Sequence, residues 1–322
     1  YYNTDWTFIS EFDAFDTTRA LTLAKKQNNK NVNFDNGKMV QTRERRRIVG
    51  ELTIDAMDIL NHRTYDDAIS YHRSNFDTHG YTVDPFFQIK PPHKKSLEAA
   101  VPLRALLPVG FNSIVVTGLG FSAHRDAMPV LRMQRCLQNQ GYALGLLSGR
   151  CAKSNQDYRE FDLKPLQAEL KKIGVLPPRL SLSDSKPISE ASMDKVISNL
   201  NSDLNGLEIL LDRREVSFPR MKKTLKESTN VEQKEAIAFV LGMYGHSEGV
   251  GELISIVKRH KEWDKGWNYR GMGQFGTSSS SLDNYIIAMG RCSKNIVLPE
   301  LERLSKSLTE KSGFSHYRAL AI

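Results

Sequence analysis

NSIVVTGLGFSAHRDAMPVLRMQRCLQNQGYALGLLS, residues 112–148, joins a short β-branched run, two glycines and a helical pattern. The run at 114–116 predicts a strand that ends at Gly118 and Gly120. A helical pattern without acidic residues begins near Val130. The stretch therefore predicts a strand, a glycine turn and a helix, which is typical of α/β folds.

The turn and the helix start could hold an electron-rich group. Glycines let backbone approach a ligand, and the first N–H groups of a helix are unpaired and partly positive. GLGFSA at 118–123 also matches the G-x-G-x-x-A pattern of dinucleotide sites. A complete fingerprint needs an acidic residue about 20 positions later, yet no Asp or Glu lies between Asp126 and Asp157. The motif alone does not predict a self-contained nucleotide site.

Several segments in the first half resemble, in the right order, one branch of the FAD-dependent oxidoreductases. TRERRRIVGE at 42–51 is similar to RESRRIVGE, and PLRALLPVG at 102–110 is similar to PYRCLIPKG. The turn region resembles LLVAGRCISATHEA, and LRMQRCLQNQGYALG at 131–145 resembles IRVMPTCMALGQAAG. The resemblance implies a partial FAD-binding α/β module of the two-dinucleotide-binding type at 1–165. It also implies that the strand, glycine loop and helix that hold the ADP half of FAD lie before Tyr1, which leaves the strand at 113–117 unpaired on one side or paired abnormally.

The resemblance further implies which residues lie near FAD. In the family, the helix after the last strand aims its N-terminus at the pyrimidine side of the flavin, where the reduced ring carries negative charge. The implied cofactor-binding residues are Gly118, Leu119, Gly120, Arg132 and Met133. The candidates for contact with substrate or flavin are Arg46, Arg47, Arg104 and Arg125. No catalytic residue and no metal ligand is assigned.

Three positions depart from the family pattern. Leu119 stands where the family commonly has Arg, Arg125 where it has His, and Arg135 where it has Pro at the helix start. Each departure weakens the transfer of flavin contacts or chemistry, so a degenerate packing unit is the alternative. Gly141 and Gly145, one helical turn apart, predict close packing of the helix on the sheet.

Arg46 and Arg47 match the paired arginines of the family segment. A guanidinium offers a planar donor fork for an anionic substrate or a flavin oxygen. The structural alternative is an ion pair with Glu51 or Asp55, since exposed arginines usually satisfy local carboxylates. Asp55, with Thr53, also predicts the start of a helix.

Histidine spacing argues against a zinc site. His62, His72, His79 and His93 form neither H-x-x-x-H nor H-E-x-x-H. One of them could act as a general base, because imidazole titrates near neutrality. Solvent-facing loop histidines are the favoured interpretation.

Composition and charge exclude several classes. A chain of 322 residues fits about two domains, and no apolar run approaches the roughly 18 residues of a membrane span. The net charge of +8 is shared evenly between the residues before and after residue 160. The densest cluster, at 43–47, contains Glu44 and lacks interleaved aromatics, so nucleic-acid binding is not predicted. Three cysteines without C-x-x-C spacing exclude a disulfide scaffold and a zinc ribbon.

The second half is predicted to be helical. Residues 166–187, which include most of a short helix that Gly174 ends, are interpreted as a linker, and 188–322 as an all-helical domain. AIAFVLGMYGHSEGVGELISIVKRH at 236–260 aligns with YIIAMGRCSKNIVLPELERLSKSL at 285–308, with Gly242 and Gly290 placed 48 positions apart. Each unit predicts two antiparallel helices, and the period resembles that of HEAT-like repeats.

The segment between the two units is too long for a simple turn and is rich in aromatic residues. Trp263, Trp267, Tyr269 and Phe275 fall within it. They could form a platform for stacking a sugar or a peptide, although anchoring of the segment to its own domain is the favoured interpretation.

Two functions follow from these features. The resemblance implies a full-length FAD-dependent oxidoreductase that transfers hydride from an unidentified organic molecule, with a carbohydrate as one candidate, while residues 1–322 alone would be inactive. The alternative is a non-catalytic scaffold with a degenerate flavoprotein fold, which binds a protein partner through its helical repeats. The compartment stays open between bacterial cytoplasm and periplasm.

Overall fold

The computed structural model describes residues 13, 15, 18, 19, 22, 46–76, 83–90, 95–260, 263–264, 280–309, 312 and 314–321. The helix predicted from Thr17 lies mostly outside them. The described sheet contains two antiparallel strands, β1 (Ala68–Ser74) and β2 (Leu97–Pro102). Most of β1 is buried because helices pack against it.

Helix α1 (Ala56–Leu60) begins where the sequence predicts. The Asp55 carboxylate accepts the N–H of Met57 at 2.7 Å, and the Asp58 carboxylate accepts the N–H of Asp55 at 2.7 Å. This capping box satisfies donors at the helix start. Helix α2 (Phe86–Ile89) precedes β2 and buries both phenylalanine rings.

The predicted strand at 114–116 is extended but belongs to no sheet among the described segments. Val116 donates its N–H to the Leu106 carbonyl at 2.8 Å, while Ile114 is 46% exposed. A β-branched run favours extended backbone, but a strand also needs a neighbour with which to form a ladder. No described segment supplies that ladder, so the strand predicted here is not formed in the part of the chain that the structure describes.

The helical pattern of the central stretch divides into α3 (Met128–Leu131) and α4 (Gln134–Ser154). Both contact β1. Helix α5 (Lys164–Lys172) follows and ends at Gly174, whose φ is +80°.

Helix α5 crosses the predicted boundary at residue 165 and lies against the sheet. Its Gln167 amide donates to the Asp66 carbonyl at 2.6 Å and to the Ala68 carbonyl at 3.1 Å. In the predicted linker, the Ser183 carbonyl accepts the Thr64 hydroxyl at 2.8 Å. The division into domains remains a prediction.

The C-terminal region is mostly helical. Its elements are α6 (Glu190–Ser198), α7 (Leu207–Asp212), α8 (Arg214–Glu227), α9 (Val231–Met243), α10 (Val250–Arg259), α11 (Ser281–Arg291), α12 (Leu298–Ser305) and α13 (Phe314–Ala321). The described residues of 231–308 contain no strand.

Helices form in both predicted units, α9 and α10 in the first and α11 and α12 in the second. Helix α9 packs against α10 and α11, and α10 packs against α11. The antiparallel pairing of α11 with α12 remains a prediction. Gly242 and Gly290 lie in the last turns of α9 and α11. A Cβ on Gly242 would come within 2.8 Å of Leu253 in α10 and 3.1 Å of the Ala288 carbonyl in α11. Gly242 therefore lets three helices approach closely.

Candidate functional site

The glycine turn lies beside the arginine segment that is distant from it in sequence. Gly118–Gly120 forms a 3₁₀ turn in which Gly118 has a φ of +76°, a conformation that favours glycine. Ile48 donates its N–H to the Gly120 carbonyl at 2.9 Å. The structure thus brings the backbone at residues 46–48 to the turn.

The ion pairs with Glu51 or Asp55 that were the alternative for Arg46 and Arg47 are not formed among the described residues. Among the described residues, Glu51 forms its ion pair with Arg159 at 2.5 Å. Asp55 caps α1. The role of the two arginines at a ligand stays a prediction.

Gln140 of α4 accepts hydrogen bonds from the residues at the start of the turn. Its Oε1 accepts the Thr117 hydroxyl at 2.5 Å and the Gly118 N–H at 3.3 Å. The side chain is fully buried, and its Nε2 has no acceptor in the described part of the chain. The role of Gln140 was not predicted from the sequence, although a single polar side chain on the inner face of a helix is a usable signal.

The start of α4 has the features of an anion site. Arg132 and Met133 precede the helix, Met133 supplies no side-chain cap, and the first turn contains no acidic residue. Gln134 and Arg135 are exposed. The first N–H groups and the partial positive charge of a 21-residue helix therefore face an accessible surface.

A buried histidine fixes the backbone just before that start. The Nδ1 of His72 in β1 lies 2.8 Å from the Leu131 carbonyl, and its Nε2 lies 3.2 Å from the Ser70 hydroxyl. The carbonyl can only accept, so Nδ1 carries the proton and Nε2 accepts from Ser70. Burial lowers the pKa of His72 to about 4. The favoured interpretation of a solvent-facing loop histidine is wrong for this residue.

Arg104 lies in a carboxylate cluster rather than at the turn. Its Nη2 is 2.9 Å from Asp67 Oδ1, 2.7 Å from Asp184 Oδ1 and 3.4 Å from Asp66 Oδ1. The hydrogen bond with Asp67 raises the pKa of the Arg104 guanidinium. Arg104 is itself the cation of this group, so its geometry favours a structural role over the predicted ligand contact.

Arg125 lies next to a buried carboxylate. Its Nη1 is 3.5 Å from Asp126 Oδ1. Asp126 is fully buried and accepts the N–H groups of Val83 at 3.0 Å and Asp84 at 2.6 Å. Burial raises the pKa of Asp126. The turn after the glycines is therefore tied to the segment that contains α2.

The predicted close packing of Gly141 and Gly145 is wrong for the described residues. A Cβ at either position would meet nothing within 4 Å, and both residues are exposed. The sheet that was expected to cover this face of α4 is not formed by any described segment. The inner face of the helix instead carries Ala143, Leu144 and Leu147.

One aromatic residue of the segment between the helix pairs is described. Trp263 donates its indole N–H to the Ser307 hydroxyl at 3.1 Å, and its ring lies 4.3 Å from that of His316. This contact anchors the segment to its own domain. Trp267, Tyr269 and Phe275 lie outside the described residues.

Residues 18–170 match the model of the family described as FAD dependent oxidoreductase. No curated protein and no solved structure matches the chain. The match spans just under half of the chain and includes the glycine turn and α4. The resemblance of the N-terminal part to this family is thus confirmed, and this part precedes a mostly helical C-terminal region. No helix in the described ranges is both long and apolar enough to cross a membrane.

The residues present fit one end of FAD. Gly118 has open space around its Cβ position, and the uncapped start of α4 offers donors for the electron-rich side of a flavin. For the ADP end, no described strand and helix are joined by a G-x-G-x-x-G loop followed by an acidic residue about 20 positions later. The fit is therefore to the flavin ring and not to the whole cofactor.

Proposed function

We propose that residues 18–170 form the flavin-ring side of an FAD-dependent oxidoreductase. When bound, FAD would supply the redox chemistry by accepting hydride from an organic substrate. The observation that carries the proposal is the uncapped and acid-free start of α4, inside the matched region, in the helix whose Gln140 contacts the Gly118 turn. Such a helix start stabilises negative charge.

The chain's own residues bind and orient in this proposal. Gly118, Leu119 and Gly120 form the surface on which the ring rests, and Arg132 and Met133 border it. Gln140 holds the turn in place through its contacts with Thr117 and Gly118. Arg46, Arg47 and Arg125 are the remaining cations proposed to face an anionic substrate or a flavin oxygen.

The helix start alone is too weak to retain FAD. A helix terminus contributes about 0.3–1 kcal/mol in ordinary geometries. Association loses at least about 4 kcal/mol of translational and rotational freedom before affinity appears. We therefore propose that FAD is retained only where a second element, a glycine loop of the dinucleotide-binding kind, holds the ADP half of the cofactor.

The test compares two proteins after incubation with excess FAD and desalting. Residues 1–322 should retain no flavin absorbance and show no oxidase or dehydrogenase activity. A chain extended upstream to include a glycine loop should retain stoichiometric FAD. A yellow 1–322 protein would contradict the affinity argument, and a colourless extended chain would favour the alternative function.

That alternative is a non-catalytic binding protein. It is supported by the three departures at Leu119, Arg125 and Arg135, and by the packed helices of the C-terminal region. We propose that α9–α12 form HEAT-like repeats, because α9 and α10 pack against each other and both pack against α11. Their surface would then receive a protein partner.

A further inference from the structure

A cavity of about 280 Å³ lies between the C-terminal helices and the segment that contains α2. Ile89, Leu204 and Phe239 form apolar parts of its wall. It also reaches the N-terminal halves of α9 and α11. The volume is at the lower limit for drug-sized ligands, so it suits a group of the size of one long side chain.

Hydrogen-bond acceptors dominate the polar part of this cavity. Glu232 and Glu235 line it, and none of the described lining residues is cationic. Glu232 Oε1 accepts the Ser202 hydroxyl at 2.9 Å, and Glu235 Oε1 pairs with Arg259 at 2.7 Å. The second oxygen of each carboxylate has no partner among the described atoms.

Asn284 provides an independent indication of a ligand. The side chain lines the cavity, and the residue is 5% exposed. Its Nδ2 donates to the Gln88 carbonyl at 3.2 Å, which leaves Oδ1 buried without a donor in the described structure. A buried acceptor without a donor is destabilising, and the N–H of a ligand would satisfy it.

Two aromatic rings in the cavity wall further restrict the chemistry of the ligand. Phe239 and Tyr285 meet edge to face with centroids 4.8 Å apart, and both line the cavity. A guanidinium stacks on aromatic faces and donates a planar fork of N–H groups to carboxylates, while its alkyl stem packs on apolar walls. An ammonium group lacks the planar fork.

We infer that this cavity binds a guanidinium group on an alkyl stem. The apolar wall holds the stem, and Asn284 Oδ1 with the carboxylates of Glu232 and Glu235 accepts the head group. Lys90 does not compete, because its Nζ donates to the Leu204 carbonyl at 3.0 Å and to Asn205 Oδ1 at 3.4 Å. None of its described lining residues belongs to the glycine turn or to the start of α4.

The experiment is a calorimetric titration of the chain with N-acetyl-arginine amide and with N-acetyl-citrulline amide, which has nearly the same shape without the charge. The arginine compound should bind about tenfold more tightly or better, a difference of about 1.4 kcal/mol. Equal affinity for the two compounds would overturn the inference.

Two variants test whether the arginine compound binds in this cavity. Glu232→Gln should weaken binding of the arginine compound several-fold, and Asn284→Ala should do the same. Glu227→Gln, which removes an exposed carboxylate at the end of α8, is the matched control and should change nothing. Because Asn284 is buried, its variant could fail to fold, whereas Glu232 is exposed and keeps the test decisive. Wild-type affinity in Glu232→Gln would contradict the assignment.

A third titration distinguishes the sources of the guanidinium. Agmatine represents a free small molecule, and the acetylated amide represents an arginine side chain of a polypeptide. Tighter binding of the amide would assign the cavity to a protein partner. Tighter binding of agmatine would assign it to a metabolite, and either result supports a guanidinium site.

Discussion

At the scale of single residues, His72 connects the sheet to the candidate site. It is fully buried, and its neutral ring joins Ser70 of β1 to the Leu131 carbonyl, one residue before Arg132. Charging this ring would replace the accepted Ser70 hydrogen bond by a second donor in a low-dielectric interior. The position of Arg132 therefore depends on a histidine that stays neutral.

The stability of the protein should depend on His72 as the pH falls. Burial lowers the pKa of His72 from 6.5 to about 4, so between these values the unfolded chain binds a proton that the folded chain does not. The free energy of unfolding should fall as the pH decreases through this window, by a total of about 3 kcal/mol. Urea unfolding at several pH values between 7 and 4 measures this.

The variant His72→Gln isolates that contribution. It should be less stable than the wild type at pH 7 and show a flatter decline towards pH 4. Burial raises the pKa of Asp126 and of Asp58, whose contributions are lost as the pH rises, so they oppose the histidine in both proteins. Parallel pH profiles for the two proteins would show that His72 does not carry the effect.

At the scale of elements, α4 is a helix that its sequence predicts well, and its start is the part proposed to bind the flavin. Its apolar residues recur at helical spacing, and its last turn contains Lys153, as suits the negative end of a helix. Its first turn contains Arg135 and no acid, which leaves the positive end uncompensated. A helix optimised for stability alone would carry Asp or Glu there.

Reversing charge at the two ends of α4 should change stability in opposite directions. Arg135→Glu should raise the free energy of unfolding by about 0.5–1 kcal/mol, and the matched change Lys153→Glu should lower it by a similar amount. Both side chains are exposed. Thermal unfolding at low salt measures the effect, and loss of the difference at high salt is the control.

In a form of the protein that retains FAD, the variants Arg135→Glu and Lys153→Glu distinguish an effect on stability from an effect on flavin binding. Arg135→Glu should weaken flavin retention although it stabilises the protein, while Lys153→Glu should leave retention unchanged. If flavin retention instead rises and falls with the stability of the two variants, the start of α4 is not part of the flavin site.

The helices and their ends were predictable because their signals are local. Asp55, Gly174 and Gly242 mark a helix cap, a stop and a helix end, and each prediction agrees with the structure. The strand at 114–116 was not predictable in the same way, because a strand depends on a neighbour that sequence does not identify. Gln140 was missed, and His72 was wrongly interpreted as a solvent-facing loop residue, because burial of a polar side chain is decided by tertiary contacts.

At the scale of the whole molecule, the family-matched region and the helical region share one hydrophobic core. Arg63 pairs with Asp212 of α7 at 2.6 Å, and Asn61 donates to the Glu208 carbonyl at 2.9 Å. These contacts connect residues about 150 positions apart, which no periodicity could reveal. The predicted linker at 166–187 therefore lies between two regions that differ in sequence pattern but pack against each other in the structure.

A second polar connection between the regions runs from the C-cap of α9 to the turn after the glycines. Tyr244 donates its hydroxyl to Asp84 Oδ1 at 2.5 Å, and the Asp84 N–H donates to buried Asp126 at 2.6 Å. Arg214 lies 5.3 Å from the Tyr244 ring centroid and 3.9 Å from Asp84. Burial raises the pKa of Tyr244, so the phenol stays protonated and remains a donor.

Removing this hydroxyl should loosen the segment before α2 without unfolding the protein. Tyr244→Phe should lower the free energy of unfolding by about 1.5–3 kcal/mol, because a hydrogen bond to a charged group is lost. Amide exchange at Val83 and Asp84 should accelerate, since their N–H groups depend on the position of Asp84 beside Asp126. Tyr71→Phe is the matched control, because Tyr71 also donates to a carboxylate, Glu98, but within the sheet. If exchange at Val83 and Asp84 stays slow in Tyr244→Phe, or accelerates equally in Tyr71→Phe, the helical region does not hold the turn through this connection.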